Sequence, residues 1–221
     1  MNAMMNLGIL AHKYAWPDFV PNVPPDDHGW FGECNEYVLS LLLGDETKVV
    51  LELGSWLGKS TRFILEKAPN AEVIAVDHWL GTKQITDDAP DCAAKLPLLY
   101  ETFLANCQKY KSRLIPMRRN TVEAMDEIFR MGIRPNVIYL DAAHDYDSAK
   151  ADLKKIGECF PEALLAGDDF SPKWDGVMRA VWQYAEDGCR GMVFASHAWA
   201  MMGAWRKGSL DGIKRKEKGT A

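Results

Sequence analysis

From residue 33 onward, short apolar runs alternate with stretches of helical period. Positions 33–43 put Tyr37, Val38, Leu41 and Leu42 on one face ahead of Gly44, which predicts a helix and its stop. The run 49–53 predicts a strand, 60–67 a helix, and 73–76 a strand closing on Asp77. The same alternation continues as helix 98–110, strand 113–117, helix 122–131 ended by Gly132, strand 137–140, helix 148–160 and strand 163–166. Ser171 as N-cap and Pro172 at the first position mark the start of a further helix, which Gly188 ends. Residues 191–201 and 204–207 predict two strands joined directly. Residues 1–32 carry four of the eleven prolines (Pro17, Pro21, Pro24, Pro25) and read as an irregular arm.

Alternating strands and helices imply parallel strands, because right-handed crossovers place helices over both faces of the sheet. The fold class expected is α/β: a Rossmann-like three-layer sandwich with a mostly parallel seven-stranded sheet and an antiparallel C-terminal hairpin. In such sheets ligands sit beyond the carboxyl ends of the strands. The stretches 52–58, 77–79, 120–121, 141–144 and 168–170 all follow predicted strands.

A length of 221 residues suits one domain, expected over 1–213 with a basic, flexible tail at 214–221. The tail carries +3 and everything before it −8 of the net −5, so the body repels a phosphate backbone and no nucleic-acid partner is expected. No apolar stretch approaches the roughly 18 residues of a membrane span, and no charged segment precedes an apolar one at the start, so a cytoplasmic protein without a membrane partner is expected. The five cysteines form no Cys-x-x-Cys pair, which fits reduced thiols better than a disulfide frame or a zinc site.

The sharpest local motif is ELGSWLGKST, residues 52–61, between the first strand and its helix. A phosphate-cradling loop needs four residues between its first glycine and Gly-Lys-Ser, whereas three separate Gly54 from Gly58. A dinucleotide loop needs a second glycine where Trp56 stands. Glu52 would also repel phosphate. A nucleoside-like ligand with cationic groups fits better, and S-adenosylmethionine carries a sulfonium and an ammonium. Gly54 and Gly58 allow the turn and a close approach, while Asp77 is placed to accept two ribose hydroxyl hydrogen bonds.

With ExGxxxGxS, Asp77 within DHWLG, YLDAAHDYDSAKADL and AGDDF in this order, the chain resembles class I S-adenosylmethionine-dependent methyltransferases over residues 49–207. More narrowly it resembles the branch of macrocin-type sugar O-methyltransferases and cephalosporin-biosynthesis relatives. It departs from the family pattern at Trp56, in place of the middle glycine, and at Asp141-Ala142-Ala143-His144, where the branch commonly has Asp-Gly-Asp-His. The resemblance implies cofactor contacts from Glu52, Gly54, Ser55, Trp56, Gly58, Ser60, Asp77, His78, Trp79, Asn120 and Thr121. Core packing explains Trp56 and Trp79 as well as a cofactor contact does, and helix capping explains Asn120 and Thr121.

Asp141, Asp168 and Asp169 close the fourth and fifth strands. Three carboxylates converging there suit a hard cation such as Mg²⁺, which the resemblance also implies. An alcohol is a poor nucleophile until its proton leaves, and a metal both acidifies and orients it. His144, three residues after Asp141, is the candidate base, since imidazole exchanges protons near neutral pH; Asp141 is the second candidate, and capping of the next helix is the structural alternative for His144.

The expected function is O-methyl transfer to a hydroxylated small molecule. A nicotinamide-dependent oxidoreductase and a non-catalytic S-adenosylmethionine-binding protein are the alternatives. The arm, the loop 81–97 and the segment 170–174 would choose the acceptor or join copies in a homo-oligomer. Of the tryptophans, Trp30 and Trp174 are expected near the acceptor entrance, and Trp182, Trp199 and Trp205 in the core.

Overall fold

The computed structural model describes residues 3–18, 21–81, 90–188 and 190–204. Seven strands form one sheet: β1 (Val49–Leu53), β2 (Glu72–Asp77), β3 (Leu114–Arg118), β4 (Val137–Leu140), β5 (Leu164–Gly167), β6 (Arg190–Ala195) and β7 (Ala198–Ala204). Their order across the sheet is β3-β2-β1-β4-β5-β7-β6, and only β7 runs antiparallel to its neighbours β5 and β6. This is the expected mostly parallel α/β sandwich.

Helices α1 (Ala3–Lys13), α2 (Glu33–Ser40), α3 (Lys59–Lys67), the one-turn α4 (Pro90–Ala93), α5 (Leu99–Cys107), α6 (Thr121–Arg130), α7 (Tyr146–Cys159) and α8 (Asp175–Asp187) surround the sheet. Strand side chains alternate between its two faces. Leu51, Leu53, Ile74, Val76, Ile138 and Leu165 pack under α1, α6, α7 and α8. Val50, Val73, Ala75, Val137 and Tyr139 pack under α2, α3 and α5. Burial on both faces is why these strands read as largely apolar runs. The same alternation sends Glu52 to the α2/α3/α5 face, level with Ala75 and Tyr139 on the flanking strands.

The sheet reverses its winding between β1 and β4, which pair directly, Leu53 beside Leu140. Gly54 and Asp141 therefore leave the sheet side by side, and Asp141 N donates to Leu53 O at 2.8 Å. That crevice is where an open α/β sheet binds its ligand.

Four expectations need correction. The arm is not irregular throughout: α1 occupies its beginning, docked by Leu7 and Leu10 and by Asn6 Nδ2 donating to Met131 O at 2.6 Å. The first proline comes at residue 17, so nothing local opposes a helix before it. The final turn falls at Ser196 and His197 rather than beyond Met201, with Ser196 at φ 55. Ser171 stands at the N-cap with Pro172 in the first turn, but its side chain makes no cap and the segment opens as a 3₁₀ turn, Pro172–Trp174, before α8 starts at Asp175. Trp182 is exposed rather than in the core, because the buried stripe of α8 is Val177, Ala180, Val181 and Ala185. Trp199 is fully buried as expected. Trp205, residues 204–207 after Ala204, loop positions 82–89 and the tail 214–221 lie outside the described residues. None of the described helices is long and apolar enough to cross a membrane.

Candidate active site

Two glycines shape the loop between β1 and α3. At Gly54, φ is +88, and a Cβ would stand 1.8 Å from Asp141 O, so the juxtaposed ends of β1 and β4 leave room for glycine alone. Gly58, at φ +79, caps α3 where a Cβ would meet Cys107 Sγ at 2.5 Å.

Asp77 organises this loop. Its Oδ2 accepts from Ser55 N and Trp56 N, both at 3.0 Å, and its Oδ1 accepts from Trp79 N at 2.7 Å. Three backbone donors to one carboxylate hold Trp56 and Trp79 in the left-handed region, at φ 46 and 49, where an L-residue is strained by about 1–2 kcal/mol. With two bonds on Oδ2 and one on Oδ1, the carboxylate retains acceptor capacity on Oδ1.

Glu52 lies beneath the loop, fully buried, and accepts from Ser55 Oγ at 2.7 Å, Ser60 Oγ at 2.6 Å and Thr61 Oγ1 at 2.5 Å. Burial raises its carboxyl to about 7 against the pull of the three hydroxyls. It ties the loop to the first turn of α3. Because the folded chain holds this proton more tightly than the unfolded one, stability falls as pH rises from about 4.5 to about 7. That loss is about 3 kcal/mol. Glu52→Gln should fold and lose this part of the slope, seen in melting temperatures measured across that window. Equal slopes in both proteins would show that Glu52 is not the group responsible.

A cavity of about 520 Å³ opens above the loop, large enough for a nucleoside-sized ligand. Of the residues expected to hold a cofactor, Gly54, Ser55, Trp56, Ser60, Asp77, His78, Asn120 and Thr121 line it. Glu52, Gly58 and Trp79 stand behind its wall. The buried Trp79 packs on Tyr100 and Phe103 with ring centroids 4.8 and 4.7 Å away, and its indole N–H donates to Trp56 O at 2.9 Å. Asn120 caps α6 by accepting from Val122 N at 3.1 Å. The arm returns over the loop, where Trp30 tilts onto Trp56 at 5.7 Å and Gly29, Trp30 and Phe31 close one side of the cavity.

Next to the loop, past the ends of β4 and β5, stand Asp141, His144 and Asp169, whose ligand atoms all lie within 4.8 Å of one another. His144 Nε2 meets Asp169 Oδ2 at 2.9 Å, and Trp174 stacks on the imidazole with centroids 4.3 Å apart and planes 21° from parallel. Asp145, not His144, caps α7, accepting from Ser148 N at 2.9 Å. Burial, then the charges of Asp168 and Asp169, push the Asp141 carboxyl well above the usual carboxylate range.

Asp168 does not join this cluster. It is buried, hydrogen-bonded to His197 Nδ1 in the β6–β7 turn, and accepts from Asp169 N at 2.7 Å. Those bonds help hold Asp169 at φ 64, with the second carboxylate of the pair beside His144. His144 therefore stands where Asp168 was expected. Two hard carboxylate oxygens beside an imidazole, with like charges crowding Asp141, are a donor set that fits a divalent cation.

Sequence reasoning missed Asp152, which lines the cavity, and Trp174 and His197 as partners of His144 and Asp168. The signal for Asp152 was available, since it is an acid on the buried stripe Ala149, Leu153 and Ile156 of α7. No local pattern marks the other two.

This architecture, with a glycine loop that lacks a phosphate nest and an acid at the end of β2, is that of Rossmann-like α/β methyltransferases. A family model described as a methyltransferase domain matches residues 51–170, and the chain belongs to that family. No curated protein sequence matches it. Among solved structures, an O-methyltransferase from Bacillus cereus in complex with SAH is 14% identical, with TM-score 0.51 and coverage of 90% of this chain and 88% of that one. A SAM-dependent O-methyltransferase from Thermotoga maritima is 11% identical, with TM-score 0.51 over 78% and 66%. A precorrin 8w decarboxylase from Methanobacterium thermoautotrophicum is 14% identical, with TM-score 0.54 over 81% and 97%. At these identities the likeness is one of fold.

Proposed function

We propose that the protein is an S-adenosylmethionine-dependent O-methyltransferase that methylates a hydroxyl of a small molecule. The observation that carries this reading is a cavity lined by the glycine loop, Asp77, Asp141 and His144, with Asp169 beside His144. The macrocin-type resemblance of residues 139–153 favours a sugar or similar polyhydroxylated acceptor. The charge of −8 outside the tail argues against a nucleic-acid acceptor.

The Gly54 to Trp56 backbone and the free acceptor position on Asp77 hold the methionine and ribose parts of the cofactor. His144 Nε2 lies 2.9 Å from Asp169 Oδ2, so the carboxylate stands beside the ring that is to take a proton. The His144 imidazole takes the acceptor's proton as its oxygen attacks the methyl carbon; the C–S bonding pair goes to sulfur and leaves S-adenosylhomocysteine. Asp169 then faces an imidazolium, and the Trp174 ring keeps the imidazole in plane. Asp141 and Asp169 would hold a divalent cation such as Mg²⁺, which when bound would acidify and orient the acceptor hydroxyl.

Calorimetry tests the cofactor assignment. Micromolar binding of S-adenosylmethionine or S-adenosylhomocysteine supports it, and binding of NADH with no response to either would replace it by the oxidoreductase reading. Asp141→Asn should abolish a Mg²⁺-dependent rise in melting temperature while leaving S-adenosylhomocysteine affinity within about threefold; a wild-type protein indifferent to divalent ions would remove the metal from the mechanism.

A further inference from the structure

One buried acid in the cavity is used by neither the loop nor the catalytic cluster. Asp152 sits on α7 one turn beyond Ser148, and with Ser148 and Ala151 it lines the cavity beside the first turn of α6. It is only 3% exposed, on a helix stripe otherwise built of Ala149, Leu153 and Ile156. Thr121 Oγ1 donates to its Oδ1 at 2.5 Å. Among the described residues this is the carboxylate's only hydrogen-bond partner, so Oδ2 is left as an acceptor at the cavity wall. A carboxylate in such surroundings is costly to keep unless a donor completes it. Burial raises its carboxyl to about 6.

Its position among the cavity residues indicates the donor. Asp77 marks the ribose and Asp141 the side of the reacting methyl; β3 runs beside β2, with Asp77 paired to Arg118, and the cavity-lining Asn120, Thr121 and Val122 that follow β3 lead to Asp152 through the Thr121 hydrogen bond. The part of a nucleoside lying beyond the ribose on that side is its base. We propose that Asp152 reads the base of the cofactor, accepting a hydrogen bond from the exocyclic amine of a 6-aminopurine and rejecting a 6-oxopurine, whose carbonyl would face the carboxylate. The inference rests on the cofactor reading above and assigns a specificity residue within it. Thr121 is the positioning partner: by occupying Oδ1 it turns Oδ2 toward the base.

The test is a swap of preference between S-adenosylhomocysteine and its inosine counterpart, S-inosylhomocysteine, measured by calorimetry. Wild-type protein is expected to favour the adenosine compound by at least about 100-fold, the scale on which a site built for a hydrogen bond refuses a ligand that lacks it. In Asp152→Asn, Thr121 donates to the amide oxygen and the NH₂ faces the base. This variant is expected to bind S-adenosylhomocysteine about tenfold more weakly and S-inosylhomocysteine more tightly than wild type does, so that the preference collapses or reverses. A purely structural Asp152 would weaken both ligands together and leave the ratio unchanged, which overturns the inference. The wild-type ratio stands independently of whether the variant folds, since equal affinities in wild type overturn the base-reading role alone. A wild type that binds neither compound overturns the cofactor reading and this inference with it.

Discussion

His144→Ala is expected to bind S-adenosylhomocysteine as wild type does and to turn over at least about 100-fold more slowly, the range a positioned base contributes. The side chain is at the cavity surface and makes two contacts: Nε2 to Asp169 at 2.9 Å, and the stack on Trp174. Neither holds the glycine loop, so cofactor affinity should be spared. Asp169→Asn should lose less than His144→Ala, because the base remains in place while the charge that balances the imidazolium is gone. Single-turnover methylation with saturating cofactor is the measurement. Unchanged turnover in His144→Ala would transfer proton removal to Asp141 or to solvent.

Asp77→Ala should have the reverse signature, a loss of cofactor binding of at least about 100-fold, or roughly 2.7 kcal/mol, together with a lower melting temperature. Three backbone N–H groups, of Ser55, Trp56 and Trp79, lose their acceptor, and hydrogen bonds to a charged group contribute about 1.5–3 kcal/mol each. The strained φ of Trp56 and Trp79 then loses what compensates it. Asp77→Asn should fall between, since its NH₂ turns a donor toward one set of N–H groups. Affinity for S-adenosylhomocysteine within threefold of wild type in Asp77→Ala would mean that the loop holds its shape without the carboxylate. The two variants separate the halves of the cavity: one alters affinity and the other the chemical step.

Much of this arrangement can be read from the chain. Strands β1 and β4 match the predicted stretches residue for residue, because a strand covered on both faces is apolar at nearly every position, Glu52 being the exception in β1. The loop, Asp77 and the Asp141 to His144 segment fall in the cavity because ligand-bearing residues of a parallel sheet follow its strands. The errors also have local causes. The β6–β7 turn uses Ser196 in a left-handed conformation, a place where glycine or asparagine would have signalled it. Trp182 lies one position off the buried stripe of α8, so its size suggested a core role that its helical phase denies.

Element type, element order and the strand-end position of the acids follow from periodicity and from the composition of each short segment, which are properties of neighbouring residues. The direction each acid faces is a different kind of property. Asp168 and Asp169 are adjacent and chemically identical, yet one bonds His197 and the other His144. Glu52 is shut beneath the loop by Ser60 and Thr61, Asp77 spends three of its acceptor positions on backbone, and Asp152 faces the cavity from a helix 75 residues further along the chain. Those outcomes depend on which elements the sheet order brings together, and contacts between residues distant in the chain leave no mark on the local pattern of either partner.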